Sequence, residues 1–109
     1  SGSFDKFILQ NWKLLEAHGE DPIMAASCIH TLASCSAFLI SGNAVSSKED
    51  FDKCEEALGM DTKLREKLGK IMSQTKNYEV DALMTLFEAM ARLFEAYSDR
   101  GGEDSEHLL

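Results

Sequence analysis

The sequence is poor in the residues that interrupt regular structure. Of its 109 residues one is proline and seven are glycine, which excludes collagen-like and low-complexity classes. Hydrophobic residues make up 44% and charged residues 28%, a balance that an intrinsically disordered chain does not have. With a mass of 12.1 kDa the chain can build one hydrophobic core but not two, so we predict a single folded domain.

Basic residues are scarce as well. Eleven lysines and arginines stand against nineteen aspartates and glutamates, which leaves a formal net charge of −8. This surplus of negative charge repels phosphate backbones and anionic lipid headgroups at long range. Nucleic acid and membrane surfaces are therefore disfavoured, and the expected partner is a protein or a second copy of the chain.

Cysteines are too few for a disulfide framework, because three of them cannot all pair within one chain. Cys28, Cys35 and Cys54 lie in apolar or helical segments and are interpreted as reduced core thiols, typical of the cytoplasm or nucleus. Cys28 and His30 point about 200° apart on a helix and cannot share a metal ion. We expect no cofactor and no metal. His30 is interpreted as a core or interface histidine.

The ends of the chain differ from its middle. Residues 1–3, which begin without methionine, are interpreted as a tag remnant. We predict that residues 4–100 form a helical bundle and that residues 101–109 form an acidic disordered tail. Segment 23–40 is apolar enough to be considered as a membrane span. Its serines, threonine and histidine, with no nearby lysine or arginine, favour a helix buried in a bundle instead.

Helical periodicity recurs along the chain, and no stretch alternates like a half-buried strand. Five helices are predicted: from about residue 3 to 18, from 22 to about 41, between Ser47 and Gly59, from a cap at position 61 or 62 through 72, and from near 77 or 78 to near 98. Ser3, Asp21 and Ser47 are suitable N-caps, and Gly19 and Gly59 are suitable helix ends. The predicted fold is all-α, a compact single-domain bundle of four to five helices with the second helix at its centre.

The last predicted helix has more apolar surface than one neighbouring helix can cover. Two series of apolar residues recur every seven positions: Val80, Phe87 and Phe94, and Leu83, Met90 and Tyr97. Leu86 and Leu93 widen this surface well beyond a minimal coiled-coil seam. The sequence therefore predicts a non-catalytic interaction or adaptor module that presents an apolar helical face to another helix, or to itself as a homodimer.

The predicted partner contacts on that helix are Leu86, Met90, Leu93 and Tyr97. If they form an interface, alanine at Leu86 and Leu93 should abolish association and leave the fold intact.

Two alternative functions depend on charge. Carboxylates at Glu49, Asp52, Glu55 and Glu56 predict an acidic inhibitor or immunity-type protein that neutralises a basic partner. The basic residues Lys63, Arg65, Lys67 and Lys70 follow a turn at Gly59 and suggest a helix-turn-helix regulator. Interleaved acidic residues at positions 61 and 66 weaken that second alternative. An enzyme is not expected, since no nucleophile, base and orienting group occur in a recognisable pattern.

Overall fold

The computed structural model describes residues 3–42, 44–59 and 62–100, except for the side chains of residues 97, 99 and 100. Most of the described residues belong to five α-helices. The helices are α1 (Ser3–His18), α2 (Pro22–Ile40), α3 (Lys48–Leu58), α4 (Lys63–Met72) and α5 (Val80–Arg100). A short 3₁₀ helix, Thr75–Asn77, precedes α5, and the described residues contain no strand. The predicted all-α bundle in one domain is confirmed.

Side-chain caps and a left-handed glycine set the start of α2 and both ends of α3. Asp21 accepts a hydrogen bond from the Ile23 N–H (3.0 Å), and Pro22 occupies the first position of α2. Ser47 Oγ accepts from the Asp50 N–H (3.1 Å) and caps α3. Gly59 ends α3 with φ +63°, a conformation that favours glycine.

Helix α1 spans Ser3–His18, as predicted, whereas the predicted start of the last helix is wrong. The last helix begins at Val80 instead of position 77 or 78, because the Tyr78 N–H closes a 3₁₀ turn on the Thr75 carbonyl (2.9 Å). Tyr78 itself is extended, with φ −82° and ψ 134°, so the α-helix starts only after it. Residues 1–2 and 101–109, which include most of the predicted tag remnant and the whole predicted tail, lie outside the described residues.

Helix α2 is the centre of the bundle. It packs against α1, α3, α4 and, most extensively, α5. Its buried residues are Ala25, Ala26, Cys28, Ile29, Leu32, Ala33, Cys35, Ser36 and Leu39. Small side chains among them let neighbouring helices come close, and the buried Ser36 hydroxyl donates to the Leu32 carbonyl (3.1 Å). By length and composition α2 could cross a membrane, and half of that stretch is buried in the bundle.

Trp12 joins α1 to α3 and α4. Its indole N–H donates to the carbonyl of Ala57 (2.9 Å), one of the last carbonyls of α3 that have no partner within the helix. The Lys63 ammonium lies 4.3 Å from the centroid of the Trp12 ring. One buried aromatic side chain therefore fixes the ends of two helices.

Candidate functional site

Helix α5 is apolar on two opposite sides. Its inner side is buried and consists of Ala82, Leu86, Ala89, Leu93 and Ala96. Its outer face, as we call it, consists of Val80, Met84, Phe87, Ala91 and Phe94. The four large side chains of the outer face are between 44% and 68% exposed. At 3.6 residues per turn the centres of the two sides lie roughly 140–180° apart, so no neighbour that covers one side reaches the other.

The assignment of Leu86 and Leu93 as partner contacts is wrong. Both side chains are 0% exposed and belong to the hydrophobic core. The inner side alternates them with alanines, which lets α5 pack closely on α2. Met90, at 40% exposure, remains accessible at the margin of the outer face. The side chain of Tyr97 lies outside the described residues.

The outer face has the spacing of a helix-packing seam. Val80, Phe87 and Phe94 occupy one heptad position. A second position, four residues further along the helix, holds Met84 and Ala91. The seam from Val80 to Phe94 is about 21 Å long at 1.5 Å per residue. Sequence periodicity detected both apolar sides of the helix but did not indicate which side faces the core.

One edge of the outer face is acidic. Asp81, Glu88 and Glu95 are seven residues apart and lie beside the seam. Glu88 Oε1 is 3.0 Å from His30 Nε2 on α2, and 3.6 Å from an Arg92 guanidinium nitrogen. The close approach of His30 lowers the pKa of Glu88, and the nearby Arg92 guanidinium acts in the same direction. The Glu88 carboxylate is therefore ionised near neutral pH.

His30 is a partly exposed interface residue between α2 and α5, as one of the two sequence interpretations predicted. It also borders a groove of about 320 Å³ between α1 and α2, lined by Phe4, Phe7, Thr31, Ser34, Cys35 and Phe38. The rings of Phe4 and Phe38 meet edge to face with centroids 5.7 Å apart. Phe7 and Phe38 are about half exposed, a second apolar area that the sequence analysis did not single out.

The three cysteines are free and buried, so their prediction as reduced core thiols is confirmed in its structural part. Burial raises the pKa of all three thiols, and that of Cys35 reaches about 11. A thiol with so high a pKa is protonated near neutral pH and is a poor nucleophile.

In the described part of the chain, no three histidine, cysteine, aspartate or glutamate side chains converge as a metal site.

The acidic residues predicted as an inhibitory surface are interleaved with lysines on α3. Asp52 pairs with Lys48 (3.0 Å) and Glu49 with Lys53 (3.6 Å), each within the helix. Glu55 is half-buried, and Glu56 is exposed. The four carboxylates therefore do not form one continuous unpaired patch.

The three lysines of α4 line a cleft beside α1. Lys63, Lys67 and Lys70 line a cleft of about 270 Å³ together with Trp12, Leu15, Glu16 and Glu66. Helices α3 and α4 follow one another across the turn at Gly59, as the alternative prediction required. The lysines, however, share their cleft with two carboxylates, which reduces the attraction that they could offer to a phosphate backbone.

Comparisons with protein-family models, with curated protein sequences and with solved structures find no match to this chain. The site is therefore interpreted from its own geometry.

Proposed function

We propose that this chain is a non-catalytic protein-interaction module that binds a helical partner on the outer face of α5. The observation that supports the proposal is the exposure of Val80, Met84, Phe87 and Phe94 on one helix that the core holds from its opposite side. Contiguous apolar surfaces of this kind often mark interaction sites in soluble proteins. Its three unpaired thiols suit a reducing compartment, the cytoplasm or the nucleus.

The spacing of the seam favours a helix as the partner. Apolar anchors at i, i+4 and i+7 match the ridge of another amphipathic helix, whereas an extended peptide would need a sheet edge or a line of pockets. Phenylalanine and methionine add adaptable contact area, because both adjust to side chains of different shape. The extensive packing of α5 against α2 holds the outer face in place.

A synthetic helical peptide tests the proposal. The probe is as long as α5 (21 residues), carries leucines at i, i+4 and i+7, and has glutamine on both edges. Its binding is measured by fluorescence anisotropy. Because Phe87 and Phe94 supply the largest rings of the seam, the double variant F87S/F94S should weaken binding at least tenfold, while circular dichroism and the urea midpoint stay close to wild type.

The matched control is F7S/L9S on α1, two side chains of similar exposure outside the seam. This control should bind the peptide as wild type does. If the peptide does not bind, or if both double variants lose affinity equally, the outer face is not the interaction site.

A further inference from the structure

The seam has an acidic edge on one side and an apolar edge on the other. Asp81, Glu88 and Glu95 form the acidic edge, with one carboxylate on every second turn. Leu83 and Met90 lie on the opposite edge. A partner seated on the seam therefore meets carboxylates along one margin only.

Among the described side chains, two of the three carboxylates of the acidic edge have no cation partner. Glu88 is held by His30 and Arg92. Among the side chains that the structure describes, no ion pair involves Asp81 or Glu95. Both are exposed and lie about four helical turns apart along the seam. Lysine or arginine on a partner could reach them with little desolvation.

A second copy of the chain fits this edge poorly. In an antiparallel two-fold pair each edge faces its own copy, so Asp81, Glu88 and Glu95 would meet like charges. In a parallel pair the carboxylates would face Leu83 and Met90, which offer them no cation. The net charge of −8 adds repulsion between two copies in either arrangement.

We infer that the partner is an amphipathic helix of another protein, with lysine or arginine along the edge of its apolar stripe that faces Asp81, Glu88 and Glu95. This inference rests on the proposed function and adds the charge pattern of the partner. Apolar contact on the seam supplies most of the affinity, and the charged edge selects the partner and its lateral placement.

Two further probes test the charge pattern. They share the leucine stripe of the glutamine-edged peptide, but one has lysine and the other glutamate along a single edge. The lysine peptide should bind about fivefold more tightly than the glutamine peptide at low salt, since two new exposed ion pairs, with Asp81 and Glu95, each contribute modestly. The glutamate peptide should bind more weakly than both, and added salt should reduce these differences.

Substitution of the acidic edge locates the effect. D81N/E95N should remove the advantage of the lysine peptide and leave the affinity of the glutamine peptide unchanged. The control D52N/E56N on α3 removes the same number of charges away from the seam and should keep that advantage. It therefore separates a local contact from general attraction to an acidic protein.

The outcomes distinguish this inference from the proposed function. If the glutamine peptide binds through Phe87 and Phe94 but the lysine peptide gains nothing, the function stands and the charge pattern is wrong. The inference also fails if D52N/E56N abolishes the lysine advantage as fully as D81N/E95N does. Sedimentation of a dimer that F87S/F94S dissociates would make a second copy the occupant and overturn it as well.

Discussion

Leu93 and Phe94 are adjacent in the sequence and have opposite surroundings. Leu93 is 0% exposed in the core, whereas Phe94 is 44% exposed on the outer face. A helix turns by about 100° per residue, which places neighbours on different sides. The two positions can therefore separate what α5 contributes to folding from what it offers to a partner.

Leu93→Ala should lower the free energy of unfolding by about 2–5 kcal/mol, because it leaves a cavity between α5 and the core. Phe94→Ala should change it by roughly 0.5 kcal/mol or less, as a substitution away from core contacts does. Urea denaturation of both variants measures the difference. Equal losses would mean that the outer face is packed rather than free, and the interaction proposal would lose its basis.

Cys35 makes stability depend on alkaline pH. Burial raises the pKa of its thiol from 9.0 to about 11, so the folded chain keeps a proton that the unfolded chain has lost in this interval. Its contribution to stability is fully present below about pH 9 and is lost as the pH rises toward about 11. The free energy of unfolding, measured with urea at several pH values, should decline across that window.

Cys35→Ala is the control for this dependence. Removing the thiol should make the alkaline decline shallower, while Cys28 and Cys54, whose pKa values are raised in the same direction, retain part of it. A decline as steep as in wild type would assign the effect to other groups.

At the scale of the helices, local signals decide the boundaries. Asp21 with Pro22 marks the start of α2, and Ser47 and Gly59 mark the two ends of α3, as they occur in the structure. The start of α5 could not be predicted in this way. The 3₁₀ turn before it depends on two hydrogen bonds of Thr75: its carbonyl accepts from the Tyr78 N–H, and its hydroxyl donates to the Met72 carbonyl. The residue before this turn, Gln74, makes no side-chain cap from which the turn could be predicted.

The glycine that ends α3 and the glycine inside α4 should respond to alanine in opposite ways. Gly59 has φ +63°, and an added Cβ would lie 2.6 Å from Lys63 Cβ. Gly59→Ala should therefore destabilise the domain by about 1–2 kcal/mol. Gly69 lies inside α4 with no atom within 4 Å of an added Cβ, so Gly69→Ala should stabilise it by about 0.5–1 kcal/mol.

Thermal unfolding of the two glycine variants gives the measurement. The midpoint should fall for Gly59→Ala and rise for Gly69→Ala. A rise in both would indicate that the turn between α3 and α4 does not need the left-handed conformation.

At the scale of the whole molecule, the sequence predicts the fold better than the site. The central place of α2 follows from its small and apolar composition, and the structure confirms it. Of the four contacts predicted on the last helix, Leu86 and Leu93 lie on its buried side. Leu86 and Phe87 are both apolar and recur with the same period, so only the position of α2 decides which of them faces water. That information is tertiary and is not contained in the spacing.

The dependence of the bundle on α2 also bears on its assembly. Helix α5 has its one extensive contact with α2, although about forty residues of chain separate the two helices. In a polypeptide that ends before residue 80, the apolar side of α2 that packs against α5 would be exposed to water. We expect such a nascent or truncated chain to aggregate, so that correct folding waits until its carboxyl-terminal helix has been synthesised.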